Sequence, residues 1–228
     1  MPTAFGFYGK IPSHGDFLRR DLSPAFIEPW DTWLQQSLLT GRDVLADRWQ
    51  NAYFSAPIWR FALPAGLCGP DGMMGVLMPS VDRVGRQFPL TIATPIGDAD
   101  PWGVFRANDA VYRALEDAAL AMLEDGAEPA QLESVLAGIA VAVDSNGTHL
   151  KPCGRGLCMS STASPGTVLA AAHLSTRFSK PSLWGCVIED QNHFFACPGM
   201  PTGADEIRPL MDLGAPAWTG GDILETLL

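Results

Sequence analysis

Short apolar runs alternate along the chain with longer stretches in which apolar residues recur at helical spacing. The short runs are bounded by Gly, Pro or polar residues, which is typical of strands. They predict strands at residues 4–8, 58–63, 73–78, 88–94, 139–143, 183–188 and 193–197. The turn at 66–72 predicts a hairpin between the second and third runs, and the turn at 189–192 predicts one between the last two.

Helical spacing and capping residues predict the helices. Ser23 and Pro24 are typical of a helix start, whereas Pro29 predicts a second start rather than one continuous helix. Gly41 predicts the end of that helix, and Asp43 caps the next one. Further helices are expected at residues 109–123, 129–138, 167–174 and 204–211.

The remaining segments predict loops, and the order of elements predicts the fold class. Residues 152–166 are rich in Gly, Ser, Cys and Pro and predict an irregular loop, and residues 144–147 predict a turn. Strands interleaved with helices predict an α/β fold, a three-layer α/β/α sandwich around a mixed central sheet. Without a repeat or a long linker, residues 1–228 are expected to form one domain.

The link between two apolar runs in Gly75–Leu90 is the segment richest in candidate chemistry. Its polar residues are Ser80, Asp82, Arg83 and Arg86. Arg83 and Arg86 could together bind a carboxylate or a phosphate through their planar guanidinium groups. Asp82 would then orient one of the two arginines, and Ser80 or Lys10 would add donors. Alternatively, Asp82 pairs with an arginine inside a buried turn that locks the two strands. Both interpretations stay open.

Signatures of catalysis are missing from the sequence. It contains no Gly-x-Ser-x-Gly elbow, phosphate-binding loop or His-Glu-x-x-His helix. Ser13, His14 and Asp16 lie within four positions, but neighbours on an extended chain point to opposite faces and do not easily converge. We therefore expect no enzyme, no cofactor and no metal site.

Charge is distributed unevenly between the two halves. Residues 1–95 hold eight basic and eight acidic residues, whereas residues 96–228 hold seven and 17 and so supply the whole net charge of −10. An acidic second half repels nucleic acid and anionic membrane and would steer a basic partner. We expect no nucleic-acid binding.

Two further features bear on location. No apolar run reaches the roughly 18 residues of a membrane span, so we expect no membrane insertion. The first residues lack the pattern of a signal peptide, and five cysteines, an odd number, suggest reduced thiols. The expected location is the cytoplasm.

Four segments in order resemble the TagF (ImpM) family of type VI secretion system-associated proteins. They are Gly6–Phe17, Trp30–Leu34, Pro57–Phe61 and Gly75–Leu90. The resemblance implies a cytoplasmic α/β/α sandwich that represses the secretion system after translation by binding its forkhead-associated scaffold protein.

Three hypotheses on function follow. The first is this non-enzymatic regulator. The second is a small phosphate-ester hydrolase with a site around Asp82, Arg83 and Arg86. The third is a structural accessory subunit of the secretion apparatus, which would co-purify with it stoichiometrically. The sequence leaves a homodimer open.

Overall fold

The computed structural model describes residues 4–142, 149–153, 156–160 and 164–219. The strands are β1 (Gly6–Gly9), β2 (Leu18–Arg20), β3 (Trp59–Leu63), β4 (Gly72–Met78), β5 (Leu90–Gly97), β6 (His149–Cys153), β7 (Gly156–Ser160), β8 (Pro181–Ile188) and β9 (Gln191–Pro198). The helices are α1 (Pro24–Leu45), α2 (Trp49–Ser55), α3 (Pro101–Ala107), α4 (Asp109–Ala121), α5 (Pro129–Leu136), α6 (Pro165–Arg177), α7 (Ala204–Met211) and α8 (Pro216–Thr219), with a 3₁₀ turn at Ala46–Arg48.

Seven strands form the central sheet in the order β2-β1-β5-β4-β3-β8-β9. The α/β class is confirmed, but the prediction of a mixed sheet is wrong, because all six pairings in the described residues are antiparallel. Four of these pairings join consecutive strands through links too short for a parallel crossover. The other two, β1 with β5 and β3 with β8, are antiparallel as well.

Helices cover both faces of this sheet, as the three-layer prediction requires. On one face α1, α2 and α7 enclose an aromatic core in which the rings of Trp30, Phe61 and Trp184 pack together. On the other face α3, α4 and α5 enclose a second core that includes Met74 and Tyr112.

Helix α1 corrects two predictions about its course. Ser23 caps it as expected, accepting a hydrogen bond from the amide of Phe26 at 3.3 Å, but the helix continues through both Pro29 and Gly41. A proline in a helix removes one backbone hydrogen bond. We attribute the continuity to the buried indole of Trp30, which follows directly and anchors the helix to the sheet. Gly41 lies against the ring of Trp49, where a side chain would collide.

Two predictions in the second half are wrong, and a third is not tested. Residues 149–160 contain the β6–β7 hairpin instead of an irregular loop, and residues 139–142 are not a strand. The backbone of Ala142 is instead bound by the side chain of Asn108, at 2.9 Å to its carbonyl and 2.8 Å from its amide. The turn predicted at 144–147 lies outside the described residues.

Candidate functional site

The link between β4 and β5 forms a tight turn. Val81 pairs with Gln87, and the amide of Asp82 donates to the carbonyl of Arg86 at 3.1 Å. The amide of Gly85 closes the turn on the carbonyl of Asp82 at 2.9 Å. Gly85 has φ of 82°, in the left-handed region that glycine adopts without strain. The turn therefore has a defined geometry, with residues 83–85 at its tip.

The side chain of Asp82 is at the centre of this turn and is inaccessible to solvent. Its Oδ2 accepts from Nζ of Lys10 at 3.0 Å and from Nε of Arg86 at 2.6 Å. Its Oδ1 accepts from the backbone amides of Val84 at 3.1 Å and Arg86 at 2.9 Å. Four donors thus occupy the carboxylate, which leaves little capacity to bind a ligand or to accept a substrate proton.

These contacts also set the charge state of Asp82. Burial by itself would raise the pKa of the carboxyl group. The hydrogen bonds from the Arg86 amide, Lys10, the Arg86 side chain and the Val84 amide outweigh burial and hold the pKa well below its usual range. Asp82 is therefore a carboxylate at physiological pH.

The turn is bound to the segment that follows β1. Arg86 donates from its guanidinium to the carbonyl of Gly15 at 2.9 Å, and the amide of Arg83 donates to the carbonyl of His14 at 2.9 Å. Nζ of Lys10 lies 4.9 Å from the centre of the Phe17 ring. Lys10, Asp82 and Arg86, which we call the lock, therefore join two segments that are distant in the sequence.

Ser80 and Arg83 lie outside the lock. The backbone of Ser80 binds the hydroxyl of Tyr53, which donates to its carbonyl at 2.7 Å and accepts from its amide at 3.1 Å. Its own Oγ is buried and has no hydrogen-bond partner among the described residues. The side chain of Arg83 is exposed, and Val84 beside it is 70% exposed. The five candidate residues thus divide into three that form the lock, one buried serine and one exposed arginine.

Ser13 and His14 correct an expectation. Their side chains do meet, with Oγ of Ser13 at 3.0 Å from Nδ1 of His14, because this segment turns instead of running extended. Nε2 of His14 lies 3.9 Å from a carboxylate oxygen of Glu128. The Ser13 hydroxyl, however, donates to the carbonyl of Ala127 at 2.6 Å. A hydroxyl whose proton is bound in this way is not poised to give it to His14.

Sequence reasoning missed an ionic cluster around Arg60, in β3. Its guanidinium donates to both carboxylate oxygens of Glu116, at 2.6 and 2.8 Å, and to Asp109 at 2.7 Å. Its side chain is 9% exposed, whereas those of its partners are 21% and 55% exposed. The sequence did contain a signal for this cluster, since Arg60 is the one charged residue in the apolar run at 58–63. A buried arginine requires an acidic partner.

Within the described ranges, no group of three or more His, Cys, Asp or Glu side chains is arranged to hold a metal ion. Every helix in that part of the chain is too short or too polar to cross a lipid bilayer.

Comparisons with known proteins identify the family. A family model described as the TagF N-terminal domain, type VI secretion system-associated, matches residues 6–139. The crystal structure of PA0076 from Pseudomonas aeruginosa PAO1 superimposes with a TM-score of 0.72 at 30% identity, covering 97% of each chain. No curated protein matched the sequence. The chain therefore belongs to the TagF family of type VI secretion system-associated proteins.

Proposed function

We propose that the protein is a non-enzymatic cytoplasmic regulator that represses a type VI secretion system by binding its forkhead-associated scaffold protein. The TagF family match supports a role in that system. The observation that carries the proposal is the exposed tip formed by Arg83 and Val84, held on a rigid base by the lock.

The tip has the composition of a recognition element. The guanidinium of Arg83 makes no hydrogen bond or ion pair with the other described residues, so its planar donors are available to a carboxylate or phosphate of a partner. Val84 adds an apolar contact, and Phe17, 48% exposed, lies in the segment to which the turn is bound. Arginine and aromatic residues are enriched at the centres of protein interfaces.

Rigidity makes such a tip effective. A loop that is ordered only on binding costs conformational entropy, and that cost lowers the affinity. Here the hydrogen bonds to Asp82 fix the backbone of Val84 and Arg86 on either side of Gly85 before a partner arrives. The lock and the tip therefore have separate roles, support for one and recognition for the other.

The lock also argues against the hydrolase alternative. A phosphate-ester hydrolase around Asp82 would need that carboxylate to act as a base or nucleophile. Four hydrogen bonds occupy it. We therefore prefer binding over catalysis at this site.

The experiment is a pull-down of the forkhead-associated scaffold from the same cells. The tip variant is Arg83→Glu with Val84→Asp. The matched control is Arg177→Glu with Leu169→Asp, which makes the same kinds of change at exposed positions of α6. We expect the tip variant to lose about tenfold or more in scaffold affinity, since hot-spot residues contribute about 2 kcal/mol or more. The control variant should bind like the wild type.

Secretion assays test the regulatory part of the proposal. Deleting the gene should raise secretion, and the wild-type gene but not the tip variant should restore repression. Scaffold capture by the tip variant at wild-type affinity would show that the tip is not the contact. Unchanged secretion after deletion would contradict repression itself.

A further inference from the structure

A cleft of about 340 Å³ opens between the end of α4 and the start of α5. Its apolar lining includes Ala118, Ala121, Met122, Leu132 and Val135. Ala118, Met122 and Leu132 are buried, while Val135 is 51% exposed on the wall. The cleft is therefore lined largely by apolar side chains, of which Ala121 and Val135 are exposed.

Two further apolar side chains, on the last turn of α4 and just after it, are partly exposed although they do not line the cleft. Leu120 is 49% exposed and Leu123 is 41% exposed. The helical pattern would place Leu123 with the core, yet the structure leaves it partly in solvent. An apolar cleft with a polar rim is typical of interaction sites.

The rim of the cleft is acidic. Glu124 and Asp125 line it, both are exposed, and neither forms an ion pair within the described residues. Residues 114–142 contain six acidic residues and no Lys or Arg. Glu116 pairs with Arg60 and Glu133 with Arg20, whereas Glu124 and Asp125 have no ion pair in the part of the chain that the structure describes. The charge around the cleft is thus largely uncompensated.

We propose that the cleft between α4 and α5 binds an amphipathic helix of a partner protein, one that carries Lys or Arg beside its apolar face. Apolar side chains of such a helix would enter the cleft, and its cations would face Glu124 and Asp125. The negative rim disfavours nucleic acid, anionic lipid and acidic peptides. This surface is acidic and the tip at Arg83 is basic, so the two would attract partner surfaces of opposite charge.

The test uses a synthetic helical peptide of Leu and Lys, with apolar residues at i, i+3, i+4 and i+7, and a second peptide with Glu in place of every Lys. Binding is measured by fluorescence anisotropy at low and high salt. The cleft variant is Glu124→Lys with Asp125→Lys. The control is Asp43→Lys with Asp47→Lys, the same charge change at exposed positions on the opposite helical layer.

We expect the wild-type protein to bind the Lys peptide and not the Glu peptide, with affinity that falls as salt rises. The cleft variant should bind the Lys peptide about tenfold or more weakly, equivalent to about 1.4 kcal/mol, and the control within about twofold of the wild type. The cleft variant should gain affinity for the Glu peptide. The backbone amides of residues 118–135 should exchange hydrogen more slowly when the Lys peptide is bound.

Three outcomes would overturn the proposal. One is equal loss in the cleft and control variants, which would show a response to net charge alone. Another is equal binding of the Lys and Glu peptides. The third is a wild-type dimer that Val135→Glu dissociates, since a second copy would then occupy the cleft. No component of the secretion system takes part in this assay, so failure here leaves the proposed function untouched.

Discussion

At the scale of single residues, the carboxylate of Asp82 joins segments 72 residues apart in the chain. It neutralises the buried Lys10 and accepts hydrogen bonds from the backbone amides of Val84, in the turn tip, and of Arg86, directly after it. The side chain of Arg83, one residue later, is exposed to solvent. Adjacent residues of one short motif therefore have opposite roles, one in stability and the other available for recognition.

Substitution of these two residues should separate their roles. Asp82→Asn keeps the shape of the side chain but removes the charge that compensates Lys10, and its amide group turns a donor toward other donors. We expect a clear fall in melting temperature. Arg83→Ala should change the free energy of unfolding by no more than about 0.5 kcal/mol, as for other exposed positions. Equal melting curves for Asp82→Asn and the wild type would refute the lock.

The pH dependence of stability gives a second test of Asp82. Its pKa is lower in the folded protein than its ordinary value of about 3.9, so the native state favours the ionised form. That stabilisation is complete above pH of about 4 and is lost as the pH falls through the folded value. Denaturant unfolding of the wild type and Asp82→Asn should differ most near neutral pH and progressively less toward acid. A constant difference would contradict this assignment.

At the scale of elements, the end of β1 determines where Lys10 lies. Gly9 has φ of 138°, and a side chain there would collide with the carbonyl oxygen of Pro89, just before β5. Only a residue without a Cβ allows the two backbones to approach so closely. The lock therefore depends on a backbone contact as well as on its charges.

Gly9→Ala should consequently destabilise the protein and displace Lys10. We expect a loss of about 1–3 kcal/mol in the free energy of unfolding, the usual cost of overpacking, measured by urea denaturation. Gly166→Ala is the matched control, because a Cβ at that position in α6 meets nothing within 4 Å. The prediction fails if both variants unfold at the same urea concentration.

At the scale of the whole molecule, the Arg60 cluster connects the sheet to the helical layer that carries the cleft. Arg60 in β3 binds Glu116 and Asp109 on α4, and its guanidinium lies 5.6 Å from the ring of Tyr112. The hydroxyl of Tyr112 donates to the carbonyl of Phe61, back in β3, at 2.9 Å. This clamp fixes α4 against the central strands.

Loss of the clamp should be costly. Arg60→Met leaves the partly buried carboxylate of Glu116 without its donors, and we expect a loss of about 1.5–3 kcal/mol. The control is Arg20→Met, which removes an exposed ion pair with Glu133 and should have little effect. A double-mutant cycle with Glu116→Gln would measure the coupling. Additive effects of Arg60→Met and Glu116→Gln would contradict the clamp.

Local signals in the sequence determined much of the secondary structure. The cap at Ser23 and the helix at 204–211 agree with the structure, and the hairpin turn predicted at 189–192 is present but consists of Glu189 and Asp190 alone. These features depend on residues within one or two turns of each other, and so on backbone preferences that act along the chain. The resemblance that identified the family also rests on local motifs, four of them within the first 95 residues.

Tertiary structure alone decided the partners of the charged residues and the course of the longer elements. From the sequence, Asp82 could have oriented an anion-binding arginine or stabilised a turn. In the structure it binds Lys10, 72 residues earlier in the chain, and so stabilises the turn. Packing of Trp30 against Phe61 accompanies a helix that continues through Pro29. The antiparallel pairings of β1 with β5 and of β3 with β8 join strands that are distant in the sequence. Such outcomes depend on which distant segments meet in the folded protein, and spacing along a sequence does not contain those distances.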